Sequence, residues 1–209
     1  MGSAHIDGHA TPDGASFALA VGGLHKTFHA GIPGCTAHAD VLCGVELVVR
    51  KGEIVGITGV IGSGKSTLLL CAAGLLRADS GSVTVFGQTT PSPLVSYVSL
   101  VPAARASESP TQSLARALST GAHLLLLDGV LTFLSPGARK LIAALAARGM
   151  AVVAAERDRT ALDTLVERTL VLCEGSLSTH ARRYHGQRAR SPARVAEPVS
   201  AHPPARLTP

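Results

Sequence analysis

Short apolar runs alternate with amphipathic stretches along most of the chain. Phe17–Val21 and Val45–Val49 read as strands, and a Gly-, Pro- and His-rich stretch over 29–40 reads as the loop between them. Lys51-Gly52-Glu53 is a turn. Ile54–Thr58 has the unbroken apolar character of a parallel strand buried on both faces. A Gly-rich loop covers 59–64, and a helix is expected over Lys65–Leu76. Gly81 turns the chain into a strand at Ser82–Phe86, and Leu94–Val101 is another. Thr111–Ser119 reads as a helix, and His123–Leu127 as an apolar strand ending in Asp128. Ser135-Pro136 starts a helix, with serine as N-cap and proline at the first helical position. That helix runs to about Arg148, and Gly149 stops it. Ala151–Ala155 is a buried strand, Asp158–Val166 a helix, and Arg168–Cys173 with Ser176–Ser178 a closing hairpin about Glu174-Gly175. Strands alternating with helices predict an α/β fold, a mainly parallel sheet with helices on both faces.

Composition narrows this. Apolar residues make up 46% of the 209 residues, aromatics 3%, and tryptophan is absent, so the core must be aliphatic. The net charge of +5 is carried entirely by residues 179–209, which hold six arginines and one glutamate. A basic pI of this origin describes a tail and not a folded nucleic-acid face. The tail is expected to be disordered, and its arginines suit weak contact with acidic surfaces. Residues 1–15 read as a flexible lead, 16–178 as the folded domain and 179–209 as the basic Arg/Pro-rich tail. Cys35, Cys43, Cys71 and Cys173 lack paired spacing, and Cys71 and Cys173 read as small buried hydrophobes. The first residues resemble no signal peptide, and the longest apolar run, Leu68–Leu76, is too short to span a bilayer. A cytoplasmic protein is expected.

The chemistry concentrates at Gly59-Val60-Ile61-Gly62-Ser63-Gly64-Lys65-Ser66-Thr67, which fits G-x-x-x-x-G-K-[ST] between a strand and a helix. Glycines let successive amide N–H groups converge on phosphate oxygens, and the helix adds its positive end. Lys65 can reach the β- and γ-phosphates, and Ser66 can ligate Mg²⁺. Asp128, at the carboxyl end of an apolar strand, can hold the metal's shell. The ligand expected is ATP with Mg²⁺ on a P-loop NTPase fold. The candidate binding residues are Gly59, Gly62, Ser63, Gly64, Lys65, Ser66 and Thr67, with Ser66 and Asp128 toward the metal.

From about Phe17 to Ser178 the chain resembles the nucleotide-binding domain of an ATP-binding cassette (ABC) protein. Leu42–Ile54, Gly74–Leu76 through Phe86-Gly87, Ala115–Leu118, Leu124–Asp128 and Leu170–Gly175 each resemble a segment of that domain, in the family's order. The resemblance implies that Phe28, in Lys26-Thr27-Phe28, stacks on adenine. It also implies a small antiparallel β part at the N-terminal side, a second ABC subunit and a membrane protein as partners, and a place at the inner face of the membrane. Departures are equally specific. Gly129 stands where the family has its catalytic glutamate, Ser135 where it has a second aspartate, Arg157 where it has the switch histidine, and Leu100 where it has a glutamine. Residues 106–112, Ala-Ser-Glu-Ser-Pro-Thr-Gln, do not match the signature motif, and only twelve residues separate Leu100 from Ser113, where the family inserts a helical subdomain. The parts that bind phosphate are intact and most parts that hydrolyse it are missing. Arg157 could reach the γ-phosphate in place of the histidine. The function expected is ATP·Mg binding with little or no hydrolysis, in a degenerate regulatory or accessory subunit. An active transporter ATPase working with a partner chain, a scaffold that binds no nucleotide, and a P-loop kinase are the other readings.

Overall fold

The computed structural model describes residues 17–32, 35–99 and 109–179. The lead at 1–15, Leu100, residues 106–108 and the tail from 180 lie outside the described residues.

Two sheets carry the fold. β1 (Phe17–Ile32) and β2 (Cys35–Arg50) form a long antiparallel hairpin. β4 (Ser80–Val85) and the two-residue β5 (Gln88–Thr89) extend it in the order β2-β1-β4-β5. The second sheet is built on β3 (Ile54–Thr58), β6 (Val95–Ser99), β7 (Leu124–Asp128), β8 (Ala151–Glu156) and β9 (Arg168–Cys173), with β10 (Ser176–Ser178) antiparallel at one edge. Its order is β10-β9-β3-β8-β7-β6, and every pair between β9 and β6 is parallel. α1 (Lys65–Ala72) covers one face with the antiparallel sheet. Leu68, Leu69, Cys71 and Ala72 pack there against Val55, Ile57, Leu124, Leu126 and the inner residues of β1 and β2. α2 (Pro110–Ser119) and α3 (Pro136–Ala146) cover the other face, where Leu114, Ala117 and Ile142 meet Leu125, Leu127, Val152 and Ala154. β7 and β8 are fed by both cores, which is why they read as continuous apolar runs.

The expected layers are therefore present, with local corrections. The 29–40 stretch is not a loop: β1 runs through Ile32 and β2 begins at Cys35, paired from Phe28↔Ala39 to Ile32↔Cys35. His29, His38, Ala39 and Asp40 are exposed, so these positions offer no apolar alternation from which to read a strand. Within β2, Val45, Leu47 and Val49 point inward but so does Leu42, because Gly44 at φ 74 shifts the register by a bulge. α1 stops at Ala72 and not Leu76. Gly74 takes φ 72, and the Leu75 and Leu76 amides both close back onto the Leu70 carbonyl. The helix expected over 158–166 is a single 3₁₀ turn, Arg159–Ala161. Leu162 and Val166 pack against Gly56 of β3, and the segment between them is closed by turn bonds from the Leu165 and Val166 amides to the Leu162 carbonyl. α3 ends at Ala146, two residues early, and the strand expected to start at His123 starts at Leu124. Cys71 is buried as expected, whereas Cys173 is only half-buried.

Candidate functional site

Residues 59–64 leave the carboxyl end of β3 and turn directly into α1. Two glycines fix how closely the loop is held. A Cβ on Gly59 would lie 2.4 Å from the Leu172 carbonyl of β9 and 2.7 Å from Ser63 Oγ. Gly64 adopts φ 100, and a Cβ there would lie 2.8 Å from the Val41 carbonyl of β2. The loop is thus gripped between β9 and β2, and only backbone fits at those two points. Ser63 is buried within the grip, while Val60 and Ile61 at the tip are 70% and 75% exposed. Gly62, at φ 79, has open space around it.

The Lys65 ammonium folds back over the loop. It donates to the Gly59 and Val60 carbonyls, 2.8 Å each, and lies 3.3 Å from Ser63 Oγ. No side chain caps α1, so the first-turn amides remain directed at the loop's mouth. Burial lowers the Lys65 pKa from its ordinary value. Asp128 opposes that shift, the positive charge of Arg157 adds to it, and Glu156 opposes it. Lys65, Asp128, Glu156 and Arg157 therefore share one electrostatic neighbourhood although they come from α1, the end of β7 and the end of β8. The sheet order explains the meeting, since β8 lies between β3 and β7 and their carboxyl ends form one edge.

Asp128 accepts a 2.8 Å hydrogen bond from the Tyr97 hydroxyl through Oδ2. Ser66, in the first turn of α1, is exposed, and Thr67 beside it is half-buried. A serine hydroxyl and a strand-end carboxylate are the hard oxygen donors that Mg²⁺ takes together with substrate phosphates, so the residues present fit that ion. Gly129 follows at φ 67, with its amide on the Ala155 carbonyl at 2.8 Å, and offers no side chain to the site.

Glu156 is the residue that sequence reasoning undervalued. It is 5% exposed and ends an otherwise apolar strand. Oε1 accepts from the Leu131 amide at 2.6 Å, and Oε2 lies 3.4 Å from Thr132 Oγ1. Its carboxylate therefore binds the segment just after Asp128. Desolvation raises its pKa, and the hydrogen bonds from Leu131 and Thr132 oppose that rise. A charged residue closing a buried strand was the available signal. Arg157 is exposed, and its carbonyl accepts from Thr58 Oγ1 at 3.2 Å. Ser135 caps α3 through the Ala138 amide, 3.2 Å, in keeping with its N-cap pattern.

Phe28 lies on β1 and is 43% exposed, with Lys26 Nζ 5.5 Å from its ring centroid. Asp79 holds this strand by accepting from Lys26 Nζ at 2.8 Å and from the Thr27 amide at 2.6 Å. Thr27 Oγ1 also bonds Asp40 at 2.7 Å. Phe28 pairs with Ala39, two residues from the Val41 that abuts Gly64, so this part of the hairpin neighbours the loop's helix entry. Among the described residues no helix is long and apolar enough to cross a membrane, and no cluster of His, Cys, Asp and Glu forms a metal centre of its own.

Comparison with known proteins places this arrangement. Residues 42–107 match the ABC transporter family model, a stretch that contains the whole phosphate loop. The methionine import ATP-binding protein MetN of Mesorhizobium japonicum is 44% identical over 80 residues, 38% of this chain and 20% of that protein. The lipoprotein-releasing system ATP-binding protein LolD of Ruegeria sp. is 47% identical over 70 residues, 34% of this chain and 30% of that protein. The matched stretches thus span under a third of either relative. The ATP-binding cassette MJ0796, solved as a dimer bound to ADP and Pi, superposes with a TM-score of 0.64 at 19% identity, covering 77% of this chain and 96% of that one. CbiO1 from Clostridium perfringens, part of the ABC transporter complex cbiONQ, gives 0.63 at 17% identity over 78% and 87%. The chain carries the ATP-binding cassette fold of the P-loop NTPases, with an ABC transporter sequence match over a stretch that includes its phosphate loop.

Proposed function

We propose that this chain is an ATP·Mg-binding ABC-type nucleotide-binding domain, spanning residues 16–178, that hydrolyses ATP little or not at all and acts as a regulatory or accessory subunit. One juxtaposition carries the reading. A gripped phosphate loop with Lys65 faces Asp128 across the sheet edge, while Gly129, next to Asp128, supplies no carboxylate. Binding and chemistry use different parts of such a site. Gly59, Gly62, Ser63 and Gly64 would cradle the phosphates with backbone amides, Lys65 would exchange two carbonyls for phosphate oxygens, and Ser66 and Asp128 would hold the metal. When bound, Mg²⁺ would neutralise phosphate charge. Phe28 would stack on the base, and the Arg157 guanidinium would meet the γ-phosphate. What is missing is a group that orients water, and losing one typically costs about 10²–10⁴ in rate.

Relatives named for methionine import and for a lipoprotein-releasing system, together with a dimeric cassette and a cassette that is part of an ABC transporter complex, support a role for this chain beside a second cassette and a membrane component. A second reading, an active ATPase completed by a partner chain, is favoured by one observation: Glu156 puts a carboxylate at the same edge. Its carboxylate already accepts from the Leu131 amide at 2.6 Å and lies 3.4 Å from Thr132 Oγ1, contacts that hold it to the segment after Asp128 and argue against it as a base.

The test is ATP titration with a parallel phosphate-release assay on wild type and Lys65→Ala. Binding without turnover, lost in Lys65→Ala, supports the proposal. Ordinary turnover that Lys65→Ala abolishes refutes it. Gly129→Glu is a weaker test of repair, because φ 67 strains any side chain by about 1–2 kcal/mol.

A further inference from the structure

We infer that Tyr97 is a positioning residue for the metal carboxylate, the middle member of a Ser99–Tyr97–Asp128 chain that aims Asp128 at Mg²⁺. The inference rests on the nucleotide-binding reading above and extends it to β6. Three observations carry it. Tyr97 and Ser99 are two apart on β6, so they share a face, and the Ser99 side chain hydrogen-bonds the Tyr97 oxygen. Ser99 pairs with Asp128 in the parallel β6–β7 register, which brings the phenol alongside the carboxylate. The Tyr97 hydroxyl then donates to Oδ2 at 2.8 Å.

The face is the right one. Val95 and Tyr97 pack toward the core that holds α1, the helix bearing Lys65 and Ser66. With Oδ2 taken, the carboxylate is fixed in one orientation and Oδ1 is left for the metal's shell. Mg²⁺ demands near-ideal octahedral geometry, so a fixed carboxylate matters more to it than to a larger cation.

Removing the hydroxyl should therefore weaken metal binding and spare phosphate binding. Outer-shell partners of metal ligands typically set about 10–100-fold in metal affinity. The experiment measures ADP affinity of the full chain without Mg²⁺, and then the Mg²⁺ concentration for half-saturation at fixed ADP. In Tyr97→Phe the Mg²⁺ midpoint should rise at least about 10-fold while the Mg²⁺-free ADP affinity stays within about twofold. Ser99→Ala, which keeps the phenol but frees it, should shift the midpoint less in the same direction. The chain has two tyrosines and no tryptophan, so in Tyr184→Phe the emission of Tyr97 is isolated and should change as Mg²⁺ arrives. An unchanged Mg²⁺ midpoint in Tyr97→Phe, with wild type binding normally, overturns this inference alone. Absence of ADP binding by wild type overturns the nucleotide-binding reading and this inference with it.

Discussion

Replacing Gly64 by alanine tests whether the phosphate loop is held by packing or merely permitted by flexible glycines. At φ 100 any L side chain is strained, by about 1–2 kcal/mol. The new Cβ would also lie 2.8 Å from the Val41 carbonyl and 2.9 Å from Val41 Cγ1. Val41 is the extra residue between the Lys26↔Leu42 and Thr27↔Asp40 pairs, but its carbonyl is main chain and not the end of a flexible side chain, so overpacking adds about 1–3 kcal/mol. Gly62 supplies the internal control. It shares a positive φ, 79, but nothing lies within 4 Å of the position a Cβ would take there. Gly62→Ala should therefore cost only the backbone strain, about 1–2 kcal/mol. Urea denaturation of both variants, followed by ATP titration, separates the two contributions. Gly64→Ala should be the less stable variant and should also lose most nucleotide affinity, because relieving the clash moves the start of α1. Equal stability losses in the two variants would refute the idea that β2 grips the loop.

Other outcomes follow from the same geometry. Gly59→Ala should destabilise with no positive φ involved, since its Cβ meets the Leu172 carbonyl at 2.4 Å; urea melts should place it near Gly64→Ala and below Gly62→Ala. Phe28→Ala should weaken nucleotide binding by about 1–3 kcal/mol, the worth of a base on an aromatic face, with little loss of stability because the ring is 43% exposed; isothermal titration checks the first and thermal melting the second. Glu156 has a folded pKa above its ordinary value, so its ionisation costs stability as pH rises from the ordinary carboxylate range through the raised pKa. Glu156→Gln removes that penalty, so its Tm relative to wild type should improve as pH rises from the ordinary carboxylate range through the raised pKa; a difference that does not move with pH would show that Glu156 folds without a shifted pKa.

The fold was largely legible because its central strands are buried on both faces. Ile54–Thr58, His123–Leu127 and Ala151–Ala155 are apolar runs too short for helices and followed by glycine or a charged residue, and each is a strand of the parallel sheet to within a residue at either end. The phosphate loop was legible for a related reason, since Gly59 and Gly64 answer to contacts that only backbone can make and Gly62 to a positive φ. What was not legible lies where side chains do not decide structure. The β1–β2 pairing continues through Phe28↔Ala39 and His29↔His38, whose residues are exposed, and Gly74 ends α1 inside an apolar run that otherwise continues the helix. Ser109 and Gln112 form a capping box that marks the start of α2, a signal present in the sequence and read one residue late. Tyr97 and Glu156 were hidden for a different reason. Their roles depend on register between strands, Ser99 opposite Asp128 and Thr58 opposite Glu156, which no local pattern encodes.

The central claim is that this site binds ATP·Mg and does not turn it over. Its most direct test is one sample of the full chain with ATP and Mg²⁺, in which heat of binding and phosphate release are followed together. The account predicts saturable binding, with a Kd on the order of micromolar, and turnover at least about 10²-fold below the ~1–10³ s⁻¹ common among enzymes. Sustained phosphate release in that range, abolished by Lys65→Ala, would contradict it.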